Sequence, residues 1–150
     1  MVWLLLAAAF CGADLAIKKY IQSHKSEGEH QPVFGGKIII TRFYNEGAMM
    51  GFLKDKTKLL FGITCVIFGM VLGILLFLIG KPENRLLKFG LSLLLGGAAS
   101  NAYERCFKGK VTDYFSLNIG IKPLKRVVFN IGDFFIFIGS IIAVISEVKK

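Results

Sequence analysis

Acidic residues and metal-binding patterns are scarce in this chain of 150 residues. Asp and Glu number 10 against 19 Lys and Arg, which gives a formal net charge of +9. The three cysteines, Cys11, Cys65 and Cys106, lack metal-ligand spacing, and their odd number argues against a disulfide framework. Neither His24 nor His30 lies in a metal-binding pattern, and no serine has a G-x-S-x-G context. We therefore expect no metal, no cofactor and no serine nucleophile of that kind.

Apolar residues are abundant. They make up 54% of the chain, and the mean hydropathy is +0.60, which indicates an integral membrane protein. In a soluble protein the positive charge would suggest nucleic acid, but no RNP or zinc-finger signature is present. The basic residues lie between apolar runs. We therefore expect anionic lipid headgroups, and no nucleic acid, as their counter-charge.

Four apolar runs predict four transmembrane helices in a single domain covering residues 1–150. A lipid-facing backbone must satisfy its own hydrogen bonds, so helices are the simplest spans. The first run lacks a basic n-region, and bulky Phe10 precedes Cys11. We interpret it as a retained span, with a cleaved signal peptide as the alternative. Gly69 and Gly73 form a small-xxx-small pair that predicts helix packing. The predicted spans are residues 2–21, 59–79, 86–102 and 127–148.

The two long connections fall on one side of the membrane if there are four spans. The β-branched and aromatic stretch Lys37–Tyr44 predicts a strand, and Gly35-Gly36 before it predicts a turn. The expected fold is an all-α membrane protein with a small β-cradle between helices 1 and 2. Most of the 19 basic residues flank the long connections, so the positive-inside rule taken alone would place them in the cytoplasm.

Two polar pairs have helical spacing. Asp14 and Lys18 are four residues apart near the end of the first span, as are Asn101 and Arg105 at the end of the third. Such pairs share one helical face, and Arg105 beside a carboxylate would hold it ionised. The alternatives are a boundary ion pair that fixes helix depth and an arginine at the lipid interface.

Asp113 and Asp133 are the candidate catalytic groups. A carboxylate at a bilayer centre costs about 2.5–3.5 kcal/mol on insertion scales and less near an interface. Two carboxyls brought together would share a proton, as acid–base hydrolysis of a peptide bond requires. Asn130, three residues before Asp133, would share its helical face and orient it. The alternative is two unrelated aspartates, one of them capping the fourth span.

Five short stretches, taken in order, resemble the lipoprotein signal peptidases, also called signal peptidase II. They match the patterns D-x-x-x-K, N-x-G-A-x-F-G, G-G-A-x-x-N-x-x-D-R, G-x-V-x-D-F/Y and F-N-x-A-D, the second of them only loosely. Each stretch alone is weak evidence, but five in order are specific. The matching residues are Asp14, Lys18, Asn45, Gly47, Ala48, Gly51, Phe52, Gly96, Gly97, Ala98, Asn101, Arg105, Gly109, Val111, Asp113, Tyr114, Phe129, Asn130 and Asp133.

The resemblance implies an aspartic endopeptidase of the bacterial cytoplasmic membrane. It would cleave a prolipoprotein before its diacylglyceryl-modified cysteine, with Asp113 and Asp133 as the catalytic dyad. It also implies four transmembrane helices, cytoplasmic termini, and an active site near the extracytoplasmic face. A monomer is expected. The residues expected to support the site or bind substrate are Asp14, Lys18, Asn45, Gly47, Gly97, Asn101, Arg105 and Asn130.

The chain departs from the family pattern at two positions. Glu104 stands where the family usually has Asp, which puts one supporting contact in doubt, and Gly132 stands where it usually has Ala. A glycine at a helix start destabilises it by up to about 1 kcal/mol, which suggests a more mobile Asp133. The alternatives are a small membrane transporter, a lipid-binding scaffold, or an inactive homologue.

Overall fold

The computed structural model describes residues 1–47, 57–121 and 124–148, apart from the side chains of Thr57, Leu60 and Arg126. Ala48, Gly51 and Phe52 of the second matched stretch lie outside the described residues. A short 3₁₀ turn covers Leu124–Arg126. The elements in chain order are α1 (Val2–His24), β1 (His30–Val33), β2 (Ile38–Asn45), α2 (Thr57–Leu78), α3 (Arg85–Lys108), β3 (Val111–Leu117), β4 (Val128–Phe129) and α4 (Ile131–Val148).

Each predicted apolar run contains a helix. Two helices, α2 and α4, are long and apolar enough to cross a membrane, over Phe61–Leu78 and Ile131–Val148. Two helix bounds differ from the prediction by more than three residues. Helix α3 continues to Lys108 instead of ending near residue 102, and α4 begins at Ile131 instead of 127. The later start arises because Val128 and Phe129 pair with β3 as a short strand.

Helix α3 packs against the other three helices, and glycines allow its closest approaches. A Cβ built on Gly96 would lie 2.5 Å from the Phe10 Cβ of α1. On the α4 side, a Cβ on Gly90 would lie 2.8 Å from the Gly139 carbonyl oxygen. These contacts are the close packing expected of small residues in membrane helices. The same prediction was wrong for Gly69 and Gly73, which have nothing within 4 Å of an added Cβ.

The buried apolar core lies between α2 and α3, where leucines from both helices meet the start of α1. The outward faces of α2 and α4 are apolar: Phe77 is 70% exposed and Phe137 is 66% exposed. Large apolar side chains left outside a core suit a hydrocarbon environment better than water. The core leucines are Leu75, Leu78, Leu87, Leu91 and Leu95.

The sheet is antiparallel, with the strand order β1-β2-β3-β4. Asn45 of β2 lies opposite Val111 of β3, and Phe43 lies opposite Asp113, next to an irregularity between Ile40 and Phe43. The expectation of a β-element confined to the first connection was wrong, because β3 and β4 come from the second. The sequence pattern identified β2 but missed the other three strands.

Arg42 attaches the sheet to α1. Its Nη1 donates to the carbonyl oxygens of Gln22 at 3.0 Å and Lys25 at 2.8 Å. These are the otherwise unsatisfied carbonyls at a helix C-terminus, where a cation is also favoured by the helix dipole. The sheet is thereby held beside the helix ends that carry the polar residues.

Candidate active site

Strand β3 separates two environments. Side chains alternate across a strand, and Val111, Asp113 and Leu117 line a cavity on one face. On the other face Thr112 contacts α3 and Tyr114 contacts α1. Asp113 is only 2% exposed. The strand therefore presents one carboxyl to the cavity while its back face is held against the helices.

Asp133 lies at the start of α4 in a capping box with Asn130. The Asp133 amide donates to Asn130 Oδ1 at 2.9 Å, and the Asn130 amide donates to Asp133 Oδ2 at 3.0 Å. This reciprocal arrangement satisfies two backbone donors at a helix N-terminus. The expectation that Asn130 shares a helical face with Asp133 was wrong, because Asn130 precedes the helix. Asp133 thus takes part in capping α4 and also lies beside Asp113.

Asn130 connects the two aspartates. Its Nδ2 donates to Asp113 Oδ1 at 2.7 Å, while its Oδ1 and backbone amide contact Asp133. Because the oxygen is occupied by an N–H donor, the amide orientation is determined, and the nitrogen must face Asp113. One side chain thus links two aspartates that are 20 positions apart in the sequence.

Two further asparagines each donate to one carboxyl. Asn45 Nδ2 lies 3.0 Å from Asp113 Oδ2, and Asn101 Nδ2 lies 3.0 Å from Asp133 Oδ1. Their oxygens accept from the Gly47 amide at 3.1 Å and from Lys18 Nζ at 2.7 Å, which determines both amide orientations. Each aspartate therefore receives an amide donor at both oxygens and is held in a defined position.

The pKa of Asp113 is raised from 3.8 to about 7. Burial of the carboxyl is the largest cause, and the neighbouring Asp133 is the second. The amide donors Asn45 and Asn130 oppose the rise because they favour the charged form. At neutral pH, Asp113 thus exists in both protonation states, which suits a group that exchanges protons.

Beside the aspartates lies a cavity of about 530 Å³ with mostly apolar walls. The polar groups Asn45, Arg105, Asp113 and Asp133 line it at one end. A few polar groups converging in an apolar cavity are typical of a ligand site. The remaining walls come from β3, β4, α4 and the segment between β3 and β4, and they are Val111, Leu117, Leu124, Val127, Val128, Phe129, Phe134, Ile136, Phe137 and Ser140.

Arg105 lies at the cavity but its contact differs from the expected one. Its Nη2 donates to the Gly47 carbonyl oxygen at 3.0 Å, so it holds the segment after β2 instead of forming an ion pair with either aspartate. Its Nε is buried and has no hydrogen-bond partner among the described residues. Since this Nε has no partner within the described part of the chain, it could donate to a substrate oxygen beside the dyad.

Asp14 and Lys18 form the expected pair, but they are buried instead of lying at a boundary. Lys18 Nζ lies 2.7 Å from Asp14 Oδ2, and the two side chains are 1% and 0% exposed. Lys18 also donates to Ser100 Oγ at 3.0 Å and to Asn101 Oδ1 at 2.7 Å. Through Asn101 the ammonium group polarises an amide that donates to Asp133.

Two residues of this network had no role predicted from the sequence. Ser100 donates to Asp14 Oδ2 at 2.5 Å, and Tyr114 donates to Asp14 Oδ1 at 3.1 Å. Tyr114 also accepts from the Ile131 amide at 2.9 Å, at the first turn of α4. The only signal for Ser100 was its position next to the matched residue Asn101, whereas Tyr114 is itself a matched residue.

The two departures from the family pattern are accommodated by close contacts. Glu104 is 0% exposed, and its Oε2 accepts from the Thr112 amide at 2.7 Å. A Cβ built on Gly132 would lie 2.7 Å from Asp14 Oδ2, and one on Gly97 would overlap the Gly132 carbonyl oxygen. These glycines let α1, α3 and α4 meet behind the aspartates. Among the described residues, no group of three or more His, Cys, Asp or Glu could hold a metal ion.

Comparisons with known proteins agree on one family. A family model described as signal peptidase (SPase) II matches residues 6–149. The lipoprotein signal peptidase of Moorella thermoacetica is 34% identical over 142 residues, covering 95% of this chain and 89% of that protein. The lipoprotein signal peptidase of Geobacillus thermodenitrificans is 32% identical over 143 residues, covering 95% and 86%.

Solved structures of bacterial membrane enzymes have the same fold. One, at 2.3 Å resolution, has a TM-score of 0.81 and 28% identity, covering 99% of this chain and 88% of that chain. Another, at 1.9 Å resolution, has a TM-score of 0.79 and 27% identity, covering 99% and 94%. The likeness thus extends over nearly the whole chain.

Proposed function

Because the chain belongs to the signal peptidase II family, we propose that it removes the signal peptide of prolipoproteins by cleaving before a diacylglyceryl-modified cysteine. The chemistry is that of an aspartic endopeptidase. One observation carries the proposal: two carboxyls from different elements, the buried Asp113 and the partly buried Asp133, are joined through Asn130 at an apolar cavity. Family membership argues against the transporter and scaffold alternatives.

The dyad divides the work between an acid and a base. Asp133 receives the Asn101 amide that Lys18 polarises, so it is the group better suited to remain ionised and accept a proton from water. Asp113 holds the other proton and donates it toward the carbonyl oxygen of the scissile bond. When the bond to nitrogen breaks, the nitrogen takes the proton that Asp133 accepted from water. As the carbonyl group re-forms, a hydroxyl of the tetrahedral intermediate returns a proton to Asp113, so the dyad regains its starting state.

The supporting residues have separate tasks in this proposal. Asn45, Asn101 and Asn130 hold the two carboxyls in place through their amides. Arg105 anchors Gly47, and its Nε, which has no partner among the described residues, would donate to a substrate oxygen. Asp14 and Lys18 form a buried ion pair behind Asp133. Gly97 permits the close contact of α3 with α4.

The cavity suits a substrate that arrives from the bilayer. Phe137 lines the cavity and is also 66% exposed on the outer face of α4, so the apolar wall continues to the lipid-facing surface. An acyl chain or an apolar signal segment can follow this wall without crossing water. We propose that the lipid-modified cysteine enters sideways here, which places its peptide bond at the dyad.

The membrane arrangement is part of the proposal. The whole chain acts as one monomeric domain with four spans in the bacterial cytoplasmic membrane, both termini in the cytoplasm, and the sheet and dyad near the extracytoplasmic face. Lys25, Lys37, Lys110 and Lys125 would then contact anionic headgroups. A tag at Glu27 should react with an impermeant reagent added to intact cells; labelling only from the cytoplasm would refute this orientation.

Cleavage by purified protein tests the function. In detergent, it should cut a diacylglyceryl-modified prolipoprotein and release a product that begins with the modified cysteine, as mass spectrometry would show. The matched control is the same prolipoprotein with serine in place of that cysteine, which should remain intact. Equal cleavage of both, or of neither, would contradict the proposed substrate.

A further inference from the structure

The back face of β3 is held by a buried carboxylate that the chemistry does not use directly. Glu104 Oε2 accepts from the Thr112 amide at 2.7 Å, and its Oε1 accepts from Thr112 Oγ1 at 3.0 Å. Both residues are 0% exposed. One carboxylate therefore holds the backbone and the side chain of the residue immediately before Asp113.

The same carboxylate connects three elements. Gln22 of α1 donates to Glu104 Oε1 at 2.8 Å and to Thr112 Oγ1 at 2.6 Å. Lys108 pairs with Oε1 at 2.8 Å, and Lys18 lies 3.6 Å from Oε2. With two cations and three other donors, this buried charge is well compensated, and its position is strongly determined.

We propose that Glu104 is a positioning residue for Asp113, acting through Thr112. This inference rests on the proposed function. It explains how β3, which carries Asp113, is held at a fixed distance from α4, which carries Asp133. Thr112 is held on the back face of β3 while Asp113 faces the cavity. The Glu104–Thr112 contact therefore determines the distance between β3 and α3. Asn101 of α3, one helical turn before Glu104, contacts Asp133, so α3 locates both carboxyls.

The substitution Glu104→Gln distinguishes the hydrogen bonds of the carboxylate from the size of the side chain. The glutamine has nearly the same size, but only one of its two terminal atoms accepts a hydrogen bond. If its oxygen keeps the Thr112 amide, an NH2 group stands in place of Oε1, the atom that now accepts from the Thr112 hydroxyl, Gln22 and Lys108. The side chain cannot keep this arrangement, so we expect Thr112 to shift. A catalytic group displaced by about 1 Å loses up to about 100-fold in rate. We expect kcat to fall at least about tenfold while KM changes less than about twofold.

A pH profile distinguishes positioning from general damage. Asp113 faces Asn45 from β2, Asn130, Asp133 from α4, Lys18 from α1 and Arg105 from α3. If Asp113 moves away from Asn45 and Asn130, it loses donors that lower its pKa. The limb of the kcat profile that reports Asp113 should therefore move to higher pH in Glu104→Gln. Partial unfolding would reduce the amplitude and leave the limb in place.

Two variants complete the comparison. Glu104→Asp keeps a carboxylate, so it should retain kcat within about fivefold of the unmodified protein. Lys108→Met removes a half-exposed partner of the same Oε1 atom but leaves Thr112 held, so it should stay within about twofold. If Glu104→Gln does not fold, Thr112→Val replaces it, because loss of Oγ1 alone should reduce kcat several-fold and move the limb in the same direction.

The experiment uses the full chain in detergent with a diacylglyceryl-modified prolipoprotein, beside Asp113→Asn. Activity of Asp113→Asn, or none in the unmodified protein, would contradict the proposed function. With that function intact, a Glu104→Gln or Thr112→Val profile that matches the unmodified protein would overturn the positioning role. Equal losses in Glu104→Gln and Glu104→Asp, with an unmoved limb and a lower melting temperature, would also overturn it.

Discussion

The effect of Asp113→Asn on the stability of the protein should change sign as the pH rises. The variant should be less stable than the unmodified protein at low pH and more stable at high pH. Burial and Asp133 raise the pKa of Asp113 from 3.8 to about 7, which makes ionisation in the folded protein about 4 kcal/mol less favourable than in water. A raised folded pKa means that the folded state binds this proton more tightly than the unfolded state. Asp113 therefore supports folding fully below about pH 4, and this support is lost as the pH rises through about 7.

Asparagine removes the ionisation but introduces one mismatch. Asn45 and Asn130 both donate to the carboxyl, and asparagine accepts from only one of them. An unsatisfied buried donor costs about 1–3 kcal/mol. The variant should thus be about 1–3 kcal/mol less stable near pH 4, and it should be more stable by a similar amount at pH 9.

Melting temperatures in detergent between pH 4 and 9 measure this crossing. For a chain of this size, about 1 kcal/mol corresponds to about 2–4 °C, so the two curves should separate by several degrees in opposite directions at the two ends. Glu27→Gln, at an exposed carboxylate, is the matched control and should show no crossing. If Asp113→Asn melts lower by the same amount at every pH, the account of a buried, proton-sharing Asp113 is refuted.

Two further substitutions test the packing behind the dyad. Lys18→Met leaves Asp14 buried without its cation and should destabilise the protein by about 3–5 kcal/mol, whereas Lys19→Met on the exposed side of α1 should change the melting temperature little; equal effects would contradict the buried pair. Gly97→Ala places a methyl group against the Gly132 carbonyl and should destabilise by about 1–3 kcal/mol and reduce cleavage. Gly73→Ala, which meets nothing within 4 Å, should do neither, and a similar loss there would show that close α3–α4 packing is not the cause.

Local sequence patterns predicted the helices well because apolar periodicity and length decide them. They failed where pairing between distant segments decides the structure. Strand β3 holds Thr112 and Asp113 among apolar neighbours, but its strand character depends on pairing with β2 from a different connection. The α4 start was misplaced for the same reason, since Val128 and Phe129 join the sheet.

The candidate site was predictable in its chemical groups but not in its geometry. Asn130 and Asp133 have the spacing of a capping box, which determines their contact locally. The contact of Asn130 with Asp113 depends on how β3 meets α4, and no spacing reports that. Gly97 and Gly73 look alike in sequence, but only Gly97 has a neighbouring helix within contact.

The most direct test of the dyad is cleavage of a diacylglyceryl-modified prolipoprotein by purified Asp113→Asn and Asp133→Asn beside the unmodified protein. All three should be folded, as shown by a cooperative melting transition. The account predicts that the unmodified protein cleaves before the lipid-modified cysteine and that each variant loses at least about 1,000-fold in rate, because each removes one member of an acid–base pair. Cleavage by either folded variant at the unmodified rate would contradict it.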